Sequence, residues 1–242
     1  MIEAISIVIP ARNESALIAR CLTSVSRAIG ELRGVSNLGA PSVRVVVVLD
    51  SCTDETARIV STFDFVDVIE IDAESVGVAR SVGVASALTR GGGAAGFAWV
   101  ANTDADSIVP PHWLIEQVRL ANSGADVIVG TVSPVMSDLT GELAAGWQRV
   151  RGSRNPGGHV HGANLSFRGS SYLTVGGFTP DQLHEDVGLV ARFRAASAAV
   201  CDSLDIDVET SGRKANRVPG GYASYLHDGA LLSMAHFEGL TG

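Results

Sequence analysis

The chain has 242 residues, 46% of them apolar and 5% aromatic, and a formal charge of −8 at pH 7. This length suits one α/β domain, and the apolar share supports a buried core and excludes general disorder. The acidic balance excludes general nucleic-acid binding, which needs a basic footprint.

With so few aromatics, core volume must come from Val, Ile, Leu and Ala, a mix that favours parallel strands covered by helices. Residues 5–10 form a β-branched run closed by Pro10 and read as a buried strand. Residues 14–29 follow with Leu17, Ile18, Cys21, Leu22, Val25 and Ile29 at helical spacing. Residues 30–41 read as a loop. Residues 43–49 are nearly all valine apart from Arg44, the mark of a strand covered on both faces. A helix over 54–62, a strand over 66–71 and a helix over 76–88 come next. The last is rich in small residues that permit close approach to the sheet. A break at 90–93 precedes a strand over 97–101. This alternation predicts an α/β fold with an open, mostly parallel sheet and right-handed crossovers, and ligands bound beyond the carboxyl ends of the strands.

The pattern is less regular after residue 110. A helix is expected over 110–121, a strand over 127–132, a Gly-rich polar stretch over 153–162, a strand over 163–167 and a helix over 184–196. Residues 211–221 read as a basic, Gly-containing loop. No internal repeat or second core is visible, so one domain is expected over 1–242, with halves 1–110 and 111–242. No apolar run approaches the roughly 20 residues needed to cross a bilayer. Met1-Ile2-Glu3-Ala4 lacks the basic start of a secretion signal. Cys21, Cys52 and Cys201 form no C-x-x-C pair and read as reduced thiols of a cytoplasmic protein.

Four strand ends carry the polar residues of interest. Asp104-Ala105-Asp106 sets two carboxylates one residue apart, where they repel unless a cation or donors lie between them. Oxygen ligands of this kind suit Mg²⁺ or Mn²⁺ bound together with substrate phosphates. Read alone, the same turn is also a helix cap. Asp50 ends the valine strand as either a cap or an acceptor for a base edge. Arg80, on a small and apolar helix face, needs a phosphate or carboxylate partner. Glu185-Asp186 opens a helix, where acidic residues cap favourably and one could serve as a general base. Arg213, Lys214 and Arg217 sit on a Gly-containing loop that could close over a diphosphate.

Taken in order, Ser6-Ile7-Val8-Ile9-Pro10-Ala11-Arg12-Asn13-Glu14, Leu49-Asp50-Ser51-Cys52-Thr53-Asp54-Glu55-Thr56, Ala79-Arg80 with Gly83, Thr103-Asp104-Ala105-Asp106, Gly162-Ala163-Asn164, Gly176-Gly177-Phe178 and Glu185-Asp186 resemble the family 2 glycosyltransferases of GT-A fold. The resemblance implies that Pro10, Ala11, Arg12 and Glu14 line a base and ribose pocket. Asp50 would bind the base, and Arg80 the nucleotide or nearby carboxylates. Asp104 would contact ribose or metal, and Asp106 the metal. Asp186 would be the catalytic base, Glu185 would position the acceptor, and His161 and Asn164 would lie near it. The implied reaction is inverting transfer from a UDP- or GDP-type nucleotide-sugar to a small-molecule, lipid or glycan hydroxyl. A homodimer stays open. The Q-x-x-R-W motif and membrane helices of processive members are absent. The alternatives are a nucleotidyltransferase, which Pro10 to Glu14 disfavours by lacking glycine, and a silent nucleotide-sugar binding module.

Overall fold

The computed structural model describes residues 1–35, 39, 41–90, 95–151, 160–179 and 184–212. In chain order the strands are β1 (Ala4–Ala11), β2 (Ser42–Asp50), β3 (Val66–Ile71), β4 (Ala98–Asn102), β5 (Ser107–Ile108), β6 (Val127–Pro134), β7 (Leu165–Arg168) and β8 (Val200–Thr210). The helices are α1 (Ile18–Arg33), α2 (Thr56–Val60), α3 (Val76–Arg90), α4 (Trp113–Asn122), α5 (Gly141–Arg151), α6 (Gly169–Thr174) and α7 (Glu185–Ala195).

All eight strands form one sheet in the order β3-β2-β1-β4-β7-β6-β8-β5. Strands β3, β2, β1 and β4 are mutually parallel. Strand β7 is antiparallel to both β4 and β6, β8 runs parallel to β6, and β5 is antiparallel to β8. The predominantly parallel character expected of the sheet therefore resides in its first half, and the second half is mixed.

Every residue of β1 is buried, as its unbroken apolar run requires in the middle of a parallel sheet. Helix α1 covers one face with Cys21, Leu22, Val25, Ala28, Ile29 and Leu32. It starts later than the apolar spacing implies, because the backbone turns through Asn13 at φ 52° and the Glu14 carbonyl takes the N–H groups of Leu17 and Ile18. It also runs on to Arg33, four residues into the expected loop. Helix α3 covers the other face. A Cβ at Gly83 would sit 2.5 Å from Val8 Cγ1, so only glycine allows this approach. That approach brings Arg80, one turn earlier, down to the strand ends.

Strand β8 was not anticipated. Asp202, Asp205, Asp207 and Glu209 break up its apolar content, and its pairing with β6 shifts register between Gly130 and Thr131. Strand β5 is two residues long, too short to leave a pattern. The basic loop with Arg213, Lys214 and Arg217 lies outside the described residues.

Candidate active site at the strand ends

The loops after β1, β2 and β3 close on one another. Asn13 Oδ1 accepts from the backbone N–H of Thr53 (2.7 Å) and Asp54 (3.2 Å). Asp54 in turn accepts from Ser15 N–H (3.0 Å) and Thr56 N–H (3.0 Å), and Thr56 Oγ1 accepts from Glu14 N–H (2.7 Å). Asp50 is buried, with Oδ1 accepting from Ala73 (2.8 Å) and Glu74 (2.9 Å) and Oδ2 from Ser75 (2.8 Å). Burial alone would raise its pKa, but these backbone donors and the Ser51 hydroxyl hold it below the ordinary carboxylate value. Arg12 is exposed and pairs with Glu74 at 2.9 Å. Pro10, Ala11 and Glu14 are buried at the same edge.

Arg80 is the junction of the two halves. Its side chain is 4% exposed, and it donates to Asp104 Oδ1 (2.6 Å) from α3's side of the acidic turn and to Glu185 Oε1 at the start of α7. Burial opposes the charge on Arg80, but Asp104, Glu185 and Asp186 outweigh it and raise the pKa above the ordinary guanidinium value. Glu185 moves the other way for a carboxylate. Its burial raises the pKa, with Arg80 pulling it down and Asp186 adding to the rise.

Gly162 locks this junction. A Cβ there would lie 2.2–2.4 Å from the Arg80 guanidinium, so a side chain at 162 would push Arg80 off Asp104 and Glu185. Gly162 N–H donates to Asp186 Oδ2 at 2.7 Å, and Val187 N–H to Asp186 Oδ1 at 2.7 Å. Asp186 is half-buried beside the Arg80 cluster. His184, just before it, takes the left-handed conformation at φ 60° and turns the chain into α7.

Asp106 is 8% exposed. Ser107 Oγ donates to Thr210 Oγ1 (3.0 Å), whose hydroxyl donates to Asp106 Oδ1 (3.1 Å). The acidic turn is thereby tied to the end of β8. Beyond that end, Gly212 N–H bonds Asp138 Oδ2 at 3.2 Å.

Two residues expected at the acceptor have inward tasks. Asn164 is fully buried, its Oδ1 accepting from Trp113 Nε1 (2.9 Å) and its Nδ2 donating to the carbonyls of Thr131 (2.8 Å) and Ile206. Its side chain braces β6, β8 and α4. Glu185 is likewise turned in against Arg80. His161 is half-buried, and its carbonyl accepts from Asn164 N–H at 3.0 Å. Asn13 and Gly162, which stand in the quoted motifs without a role of their own, and Thr210, which stands in none, gain structural roles. Their partners are distant in the chain, and the isolated Gly and Asn are indistinguishable from turn residues.

The profile of glycosyl transferase family 2 matches residues 6–166, more than half of the chain. No curated protein sequence gives a significant match. Among solved structures, S. aureus TarS 1-349 in complex with UDP-GlcNAc superposes with TM-score 0.64 at 14% identity, covering 95% of this chain and 66% of that one. Mannosyltransferase PcManGT from Pyrobaculum calidifontis, in complex with GDP-Man and Mn²⁺, gives 0.61 at 18% identity, covering 98% and 75%. Glucosyl-3-phosphoglycerate synthase from Mycobacterium tuberculosis, in complex with Mg²⁺ and UDP, gives 0.54 at 20%, covering 96% and 79%. This chain spans 60% and 66% of two of the TarS 1-349 chains it matches. Among the described residues no helix is long and apolar enough to cross a membrane. The fold, the strand-end motifs and the profile agree: the chain belongs to glycosyl transferase family 2, with the GT-A fold.

Proposed function

We propose that this chain transfers a sugar from a UDP- or GDP-type nucleotide-sugar to an acceptor hydroxyl, with inversion and with Asp186 as the base. The observation that carries the reading is Arg80, which joins Asp104 of the acidic turn to Glu185 beside Asp186. A group bound at that turn would be within the neighbourhood of a carboxylate able to take a proton. The nucleotide-sugars named for TarS and PcManGT support the donor class. Residues 1–110 would serve as the donor half and 111–242 as the acceptor half of one domain. The three free thiols support a cytoplasmic setting.

The acidic turn suits Mg²⁺ or Mn²⁺. It offers hard carboxylate oxygens. Burial, then the charges of Asp106, Asp104 and Glu14, push the Cys21 thiol well above its usual range, which marks a concentration of negative charge at the turn. Among the described residues no three His, Cys, Asp or Glu side chains cluster as a complete metal site. Asp106, with Asp104, would therefore hold the ion jointly with the donor's phosphates. When bound, the ion supplies charge neutralisation to the departing diphosphate.

In the transfer, the acceptor oxygen bonds to the anomeric carbon as the carbon–oxygen bond to the diphosphate breaks. The acceptor proton passes to Asp186, and the nucleoside diphosphate leaves with the bonding pair. Gly162 and Val187 N–H groups fix both Asp186 oxygens while leaving lone pairs for that proton. Asp50 and the loops around Asn13 form the floor for the base. Arg12 and Glu74 form an exposed pair at its rim.

Calorimetry with UDP and GDP, with and without Mn²⁺, tests this. The cognate nucleotide should bind more tightly with the ion, and Asp106→Ala should abolish the enhancement. Metal-enhanced binding that survives Asp106→Ala would overturn the assignment.

A further inference from the structure

A concavity lies between α1 and the β5–β8 edge of the sheet, close to the acidic turn. Its volume is about 510 Å³, within the range of small-ligand pockets, roughly 300–1,000 Å³. Arg20, Thr23, Ser24 and Arg27 line it from α1 at helical spacings of three and four, so all four lie on one face. Ile108, Val109, Pro110 and Pro111 add an apolar lining, and Asp207 and Glu209 of β8 complete it.

The arginines are its distinguishing feature. Arg20 is half-buried, and among the described residues its Nε and Nη2 atoms are buried without a hydrogen-bond partner. A guanidinium stripped of water on two nitrogens and given no acceptor is in a costly state, and an anion in the adjoining groove would relieve it after a small rotation of the side chain. Arg27, two turns on and exposed, adds a second positive charge about 10 Å along the helix axis. The hydroxyls contribute no donors, since Thr23 donates to Ala19 O and Ser24 to Cys21 O. Asp207 accepts from Thr131 and Ser133, and Glu209 is exposed.

This lining selects the ligand. A bare anion would be drawn to the arginines but repelled by Asp207 and Glu209. A neutral sugar would leave Arg20 without an acceptor. We infer that the groove binds a polyhydroxylated anion, of the sugar-acid or sugar-phosphate class. Its charged group meets Arg20 and Arg27, its hydroxyls donate to the β8 carboxylates, and its carbon face rests on Pro110 and Pro111. The inference does not depend on sugar transfer, although Thr210, which bonds Asp106, directly follows Glu209.

Glucose 6-phosphate, glucuronate, glucose and inorganic phosphate are titrated by calorimetry into the full chain without nucleotide or metal. Saturable binding of glucose 6-phosphate or glucuronate is expected, and which of them binds more tightly identifies the anionic group. Glucose and phosphate should each bind at least tenfold more weakly. Arg20→Ala should weaken binding about tenfold or more. Arg27→Glu, a surface change that leaves the core intact, should weaken it similarly. Asp106→Ala should leave it unchanged. Absence of saturable binding, equal binding of inorganic phosphate, indifference to both arginine changes, or loss in Asp106→Ala would each overturn the inference. The last would move the ligand to the candidate active site.

Discussion

The two sides of the candidate site are held by different physics. On the side of β1, β2 and β3, carboxylates and amides are bonded to the backbone N–H groups of neighbouring loops, as with Asp50 on residues 73–75 and Asn13 on residues 53–54. On the side of the acidic turn and α7, the central contacts run between charged side chains, with Arg80 between Asp104 and Glu185, and Asp186 beside them is held by backbone N–H groups. Fixed amide donors make a rigid floor whose charge state is set. Among the described residues one guanidinium faces the three carboxylates of Asp104, Glu185 and Asp186, a charge balance that a bound cation would change. The lesson is that a rigid platform and an adjustable charge cluster can share one sheet edge.

The largest expected effect breaks the charge cluster. Arg80→Ala leaves Glu185, 6% exposed, without its counter-ion. Removing one partner of a buried pair costs about 3–5 kcal/mol. A urea or thermal melt should show that loss. Arg80→Lys should rescue little, since a point charge cannot span two carboxylates as a planar fork does. Stability near that of the unaltered protein would mean that the two sides do not depend on this junction.

Next in size is a change aimed at the chemistry. Asp186→Asn keeps the acceptors for Gly162 and Val187 on at most one oxygen but removes the base. Loss of a positioned base lowers turnover by about 10²–10⁴, with the donor KM little changed, while the backbone N–H left facing the amide nitrogen lowers the melting temperature modestly. Near-normal turnover would move the base elsewhere.

The floor is tested by Asp50→Ala, which strands three backbone donors. Ala73 and Glu74 are exposed enough for water to replace the carboxylate, and Ser75 is 8% exposed. The expected cost is therefore about 1–3 kcal/mol, near that of one buried unsatisfied donor. Faster hydrogen exchange confined to residues 73–75 would localise it. Loss of exchange protection at residues 184–188 as well would show that the two sides are not separable.

The difference between the sides also explains what the sequence revealed. The parallel half was legible because β1 and the valines of β2 are buried on both faces, and β3 falls on the expected residues 66–71. Arg80 was marked by its loneliness on a small-residue helix. The mixed half was not legible. β8 alternates acids with apolar residues and slips register against β6, and β5 is only two residues long. The resemblance places Asn164 near an acceptor, and motif spacing gives a position and not a direction. Its three partners come from α4, β6 and β8, which no local pattern connects.

The smallest expected effect concerns acid, and there the two sides carry opposite signs. Burial opposes the charges of Asp50 and Asp54, yet hydrogen bonds hold both below their unfolded value of about 3.9. The unfolded chain then binds more protons than the folded one. These two groups give their full stability above about pH 5 and lose it as pH falls through the folded values. Glu185 is raised instead, so folding favours its protonation, and acid removes the penalty of its burial. The acid loss is therefore a property of the floor, softened by Glu185. Urea midpoints between pH 7 and pH 3 should fall for the unaltered protein. Asp50→Asn, which cannot titrate, should start lower at pH 7 and fall less steeply. An equally steep fall in Asp50→Asn would shift the acid sensitivity away from the loop after β2, and the distinction between a fixed floor and a responsive cluster would lose its electrostatic basis.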